Sequence, residues 1–165
     1  MFNYSIASVI ISIPSLTRAF TAGDDLVARA NMMSAAMMGA TAFQKGLGAI
    51  HAISHPIGAV YNTHHGTTNA VCMPAVLTLN APKIRARFDR AAPYLGIKGG
   101  FDGFCAFVQE FNDSFAIPRR LGDMGVDTGC IDALVDMALA DPSCAGNPVK
   151  LSKENLRPVL EALIG

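Results

Sequence analysis

Apolar residues recur along most of this chain at steps of three and four positions, and that period decides which class of fold is open to it. Such spacing lines up one face of an α-helix, whereas a half-buried strand needs strict alternation. Sustained alternation with β-branched enrichment is absent apart from the ambiguous run Val9 to Ile13. The sequence therefore predicts an all-α fold, a helical bundle. With 51% of its 165 residues hydrophobic, the chain can bury one substantial core as a single domain.

The helices are placed by their stripes and caps. From Asp24 to Gln44, the residues Leu26, Ala30, Met33, Met37 and Ala40 predict one buried stripe, with Gly23 and Asp24 as turn and candidate N-cap, and with the methionines as core filler. Gly46 and Gly48 interrupt this helix, and a short one begins near Gly48. Pro56 should end or kink it, and a turn should cover Asn62 to Gly66. Further helices are expected over 67–80 with a kink at Pro74, 81–95, 101–115, 130–140 and from the N-cap Ser152 onward. Phe104, Phe107, Val108 and Phe111 should face inward, as should Ile131, Leu134, Val135 and Ala138, and then Leu156, Val159, Leu160 and Leu163. Pro158 should weaken or bend the last helix.

Several function classes drop out on composition. Thirteen basic residues balance thirteen acidic ones and are scattered, so no nucleic-acid footprint is expected. Cys72, Cys105, Cys130 and Cys144 are far apart, without a C-x-x-C pair, and read as free thiols in a reducing cytoplasm. The apolar N-terminus lacks the basic region of a signal peptide and is too short to span a bilayer, so it reads as a core helix or a helix remnant, with no membrane partner. Neither G-x-G-x-x-G nor a P-loop occurs.

All four histidines, His51, His55, His64 and His65, fall in one fifteen-residue window. Neutral imidazole is a common ligand of divalent transition metals, and a pair can converge when one sits on a helix and the other on the following turn. Spacing alone allows His51 with His55, or either of them with His64 or His65. It equally allows some of the four to be capping or surface residues. Two imidazoles make half a site, since a catalytic metal normally holds at least three protein ligands.

The stretch from Phe43 to Val71, with Gly46, Gly48, His51, His55, Pro56, Gly58, His65, Gly66 and Asn69 in register, resembles the signature of the iron-containing alcohol dehydrogenases. The likeness runs from Gly39-Ala-Thr-Ala-Phe to Gly146-Asn-Pro-Val. It implies a helical C-terminal domain that holds iron, or zinc, through one Asp and three His, beside an N-terminal domain that binds NAD(P). It also implies that His51 and His65, fourteen residues apart, are metal ligands. By the same resemblance His55 lies beside nicotinamide and substrate, where it moves a proton, and His64 stands where many relatives have proline.

The family's remaining Asp and His ligands lie in an upstream Asp-x-x-x-His motif, and none precedes His51. Asp24 and Asp25 match a helix start instead. Residues 1–165 therefore read as a partial C-terminal helical domain, with the dinucleotide-binding domain absent. The expected activity is hydride transfer between a small alcohol or aldehyde and a nicotinamide cofactor, inactive in this fragment alone. The competing expectation is a catalytically silent helical remnant. Either way, an N-terminal half or a second copy is the expected partner, because truncation leaves apolar surface uncovered.

Overall fold

A computed structural model describes the backbone of residues 2–165 and the side chains from position 7 onward; the expectation for the extreme N-terminal side chains lies outside these residues. Among the described residues there are helices and no strands. Seven α-helices follow one another: α1 (Phe2–Thr21), α2 (Leu26–Ala42), α3 (Ala49–Tyr61), α4 (His65–Ala91), α5 (Gly100–Ser114), α6 (Ile131–Ala140) and α7 (Lys153–Ile164). The ambiguous run Val9 to Ile13 is helical.

The main core lies where α3, α4, α6 and α7 meet. Ala52, Ile53 and Ile57 of α3 pack with Val71, Cys72 and Val76 of α4, Leu134 and Val135 of α6, and Leu156 and Leu160 of α7. A smaller cluster of Leu77, Phe101 and Val108 joins α4 to α5. The inward face of α6 is the predicted one, and α7 buries Leu156, Leu160, Leu163 and Ile164 behind a capping box of Ser152 with Asn155. On α5 the buried positions are Phe101 and Val108, while Phe104, Phe107 and Phe111 are half-buried.

Four expectations need correction. The stripe assigned to α2 is its outer face: Leu26 is 77% exposed, Met33 75% and Met37 68%, and Ala30 and Ala40 are exposed too. The opposite face, with Ala28 and Ala35 buried, packs on α1, where Ser8 Oγ donates to the Ala35 carbonyl at 2.7 Å. Small residues allow two backbones to approach closely, and this contact outweighs the larger apolar side chains, which stay largely exposed among the described residues. The methionines at 33 and 37 are therefore not core filler. The N-cap is Asp25 rather than Asp24; its Oδ1 accepts from the Ala28 N–H at 3.0 Å.

The second correction concerns α1, expected as a core helix: of its described side chains only Ser15 is buried, and it belongs to neither core cluster. The third is Pro56, through which α3 continues to Tyr61. Proline in a helix interior costs roughly 3 kcal/mol, and a fully buried isoleucine contributes roughly 1.5–3 kcal/mol. Ile53 and Ile57, 1% and 0% exposed on either side of Pro56, offset the lost hydrogen bond. The fourth is the break expected after Asn80. Helix α4 runs unbroken through Pro74, Asn80 and Pro82, because the buried Asn80 side chain ties to another segment instead of ending the helix.

Candidate functional site

The start of α3 is fixed from elsewhere in the chain. Gly46, at φ +98°, turns the backbone out of the 3-10 turn Phe43–Lys45 in a conformation that favours glycine. Gly48, the N-cap residue, has no side chain to offer, so the Ala49 N–H donates to Asn147 Oδ1 at 3.1 Å. Asn147 and Asn80 exchange amide hydrogen bonds of 2.9 and 2.8 Å, and Asn147 Nδ2 also donates to the Val149 carbonyl at 2.7 Å. A Cβ on Gly146 would sit 1.9 Å from the Leu47 carbonyl oxygen, so only glycine permits this approach. Together these contacts lock the 46–49 turn, α4 and the 146–149 segment, and with them the first turn of α3 that carries His51.

Three of the four histidines then come together. His51 and His55 lie one helical turn apart with ring centroids at 5.6 Å, and His65, the first residue of α4, lies 5.4 Å from His51 and 5.5 Å from His55. Asn62 ends α3 in the left-handed conformation at φ 52°, which returns the chain so that α4 starts beside it. His64 stays out of the triangle. Its Nδ1 accepts from the Thr67 N–H at 3.3 Å and so caps α4, which is the capping role that spacing had left open for some of the four.

Two imidazoles aim at one point. Asn69, one turn along α4 from His65, places its Nδ2 3.0 Å from His65 Nε2 and 3.5 Å from His51 Nε2. The third imidazole is engaged differently: His55 Nδ1 lies 2.8 Å from Asp141 Oδ2, on the far side of the chain in sequence. The other Asp141 oxygen accepts from the Ser143 N–H at 2.7 Å and caps the 3-10 turn Pro142–Gly146.

Burial by itself would raise the Asp141 carboxyl, but the hydrogen bonds from His55 and Ser143 hold it below the usual aspartate value. His51 titrates below the ordinary histidine value, first because it is partly desolvated and then because His65 and His55 stand beside it. A neutral His51 keeps its lone pair free. Beside it opens an apolar cleft of about 330 Å³, walled by Phe43, Leu47, Val76 and the Asn80–Asn147 pair.

The donor set suits a divalent transition metal as two of its ligands, since both Nε2 atoms converge on one point and imidazole matches iron or zinc. It does not make a whole site: among the described residues no three His, Cys, Asp or Glu side chains are arranged to hold a metal ion together. Asp141, Asn69 and Asn147 were not singled out from the sequence as site residues. Asn147 was within view as part of Gly146-Asn-Pro-Val, and Asn69 as part of the histidine segment, but neither carries a spacing signal. Asp141 stands 86 positions from its partner His55.

Residues 2–164 match the sequence model described as Fe-containing alcohol dehydrogenase family, C-terminal. The chain is 39% identical over 155 residues to 4-hydroxybutyrate dehydrogenase of Cupriavidus necator, covering 88% of this chain and 40% of that protein. It is 32% identical over 154 residues to NAD-dependent methanol dehydrogenase of Bacillus methanolicus, again covering 88% of this chain and 40% of the other. Among solved structures, 1,3-propanediol oxidoreductase superposes with a TM-score of 0.92 at 26% identity, over 98% of this chain and 44% of that one. The chain thus spans about 40% of the length of these curated relatives. On the match along nearly its whole length and on the helical fold it shares, the chain belongs to the Fe-containing alcohol dehydrogenase family, of which it represents the C-terminal helical part.

Proposed function

We propose that this chain is the metal-holding part of an alcohol oxidoreductase that moves hydride between a small alcohol or aldehyde and NAD(P). The observation that supports this most directly is the convergence of His51 and His65 Nε2 on one point. These two residues serve as ligands of iron or zinc, and the remaining ligands and the dinucleotide domain come from an N-terminal part that the longer relatives possess. A divalent metal, when bound, supplies Lewis acidity toward the alcohol oxygen.

The chain's own side chains do the rest. Asp141 accepts from His55 Nδ1–H, which fixes the ring and leaves Nε2 to accept or return the alcohol proton. His51 stays neutral through its burial and so remains a ligand at neutral pH. The apolar cleft beside His51 excludes water from one side of the site. All four cysteines are unpaired, which fits a reducing cytoplasm, and no helix among the described residues is long and apolar enough to cross a membrane.

A second reading, a silent helical remnant that associates with a partner or a second copy, is favoured by the exposed Leu26, Val27, Met33 and Met37 on α2. Metal analysis separates the two. The oxidoreductase reading expects weak, titratable iron or zinc binding, as two ligands of a larger set allow, that is lost in His51→Ala and in His65→Ala while the fold survives. Metal content that ignores both substitutions would leave only the second reading.

A further inference from the structure

Asn69 sits where the two converging imidazoles would place a cation, and its amide is only half satisfied. Nδ2 faces both ring nitrogens, whereas Oδ1 is buried and has no hydrogen-bond partner among the described residues. An unpartnered buried carbonyl is unfavourable, so such an arrangement needs a reason. The geometry points to Asn69 as a positioning residue that stands in for the metal: in the metal-free chain its amide holds the His51 and His65 lone pairs convergent at Nε2.

The chemistry follows from the donor inventory. A carboxamide nitrogen carries two hydrogens and accepts none, so a ring nitrogen facing it must present its lone pair. His65 and His51 then each carry their proton at Nδ1, the reverse of the tautomer a free histidine side chain prefers. That is the form a cation bound through Nε2 requires, because a ligating nitrogen must be unprotonated. Asn69 also reaches both rings from a single rigid helix, α4, which carries His65 one turn before it.

The same amide is easy to displace. Its contacts are unequal, 3.0 Å to His65 and 3.5 Å to His51, and in making them it strands its own carbonyl. Withdrawal of Nδ2 gives up these contacts, and a cation bound at Nε2 would then hold the same tautomers itself. Because these amide contacts exist only in the metal-free chain, they compete with the cation, and removing Asn69 should modestly tighten metal binding.

This inference rests on the His51 and His65 ligand reading for its purpose, but its primary test needs no metal. Long-range proton–nitrogen correlation spectra of the metal-free full chain, taken above the ordinary histidine titration range, report which ring nitrogen carries the proton. Nε2 should be the unprotonated nitrogen in His51 and His65, and Asn69→Ala should move the proton onto Nε2, above all in His65. A wild-type spectrum with the proton on His65 Nε2 overturns the inference, as does a folded Asn69→Ala chain with unchanged tautomers. Should Asn69→Ala not fold, Asn69→Asp replaces it: a carboxylate only accepts, so it must draw the proton to Nε2, and persistence of the Nδ1–H form is again fatal.

Titration with cobalt(II) then reads the consequence. Asn69→Ala is expected to tighten cobalt affinity a few-fold, since the amide's contacts are present only in the metal-free chain, and an unchanged or weaker affinity overturns the stand-in role. Cobalt binding that survives both His51→Ala and His65→Ala overturns the ligand reading and leaves the tautomer assignment standing.

Discussion

At the scale of single residues, His51 couples the site to stability. Its depressed titration has burial as the first cause, so the folded chain resists a proton that the unfolded chain accepts. The unfolded state thus binds more protons between the lowered folded value and the ordinary 6.5, and stability rises with pH across that window. In the metal-free chain the contribution should be complete above about pH 6.5 and lost as pH falls through the folded value. Urea denaturation at several pH values should show this slope, and His51→Gln should flatten it; a slope that survives the substitution would assign it to another group. Asn147 provides a prediction of another kind. Its side chain joins Ala49, Asn80 and Val149, so Asn147→Ala leaves the Asn80 Nδ2, the Val149 carbonyl and the first N–H of α3 without these partners, while Asn80 Oδ1 keeps the Val149 N–H. We expect a loss of about 3 kcal/mol, more than a single hydrogen bond is worth, measured by chemical denaturation. A loss below about 1 kcal/mol would mean that water replaces these contacts.

At the scale of elements, what the sequence disclosed depended on how unequal the two faces of a helix are. Helix α6 has aspartates at 132 and 136 opposite Ile131, Leu134, Val135 and Ala138, so its period picks out one face. Helix α7 separates its charged and apolar residues as clearly. Helix α2 is apolar nearly all round, and period alone has nothing to choose between its faces. The face that packs is the one with alanines, because α1 approaches close enough for the Ser8 hydroxyl to reach the Ala35 carbonyl. Pro56 does not end its helix for a related reason: its local cost is visible in the sequence, while the tertiary burial that offsets it is not. The histidine segment was legible because four like residues crowd into one window, and Asp141 was not because its contact with His55 depends on the whole fold. From this account Met33→Glu, on the outer face of α2, should change stability by no more than about 0.5 kcal/mol. Ala35→Leu, on the inner face at 2% exposure, should cost about 1–3 kcal/mol by forcing α1 away. Thermal unfolding of the two variants compares them directly, and a reversed order would restore the larger apolar stripe as the buried one.

At the scale of the molecule, the helices fall into two groups of unequal support. Helices α3, α4, α6 and α7 share one apolar cluster, and α5 is pinned to α4 by a second. Helices α1 and α2 contribute to neither, and their buried residues are Ser15, Ala28 and Ala35, which carry little apolar area. Beyond their mutual contact, the hairpin is held through the Phe20–Phe115 ring contact, the neighbouring Ala92–Leu95 turn and chain continuity into Phe43. Local stability follows buried apolar contact, so this hairpin should open before the core does. Amide hydrogen exchange on the full chain should then show α1 and α2 exchanging through a sub-global opening, with protection several orders of magnitude below that of α3 and α7. The consequence reaches the site as well, because α2 runs into Phe43, whose ring meets His51 edge-on at 5.6 Å. Opening of the hairpin should expose the His51 face while leaving the α3–α4 scaffold folded. Uniform protection across all seven helices would instead show that the hairpin and the core unfold as one unit, and that α1 and α2 are sustained by something beyond their interface with each other.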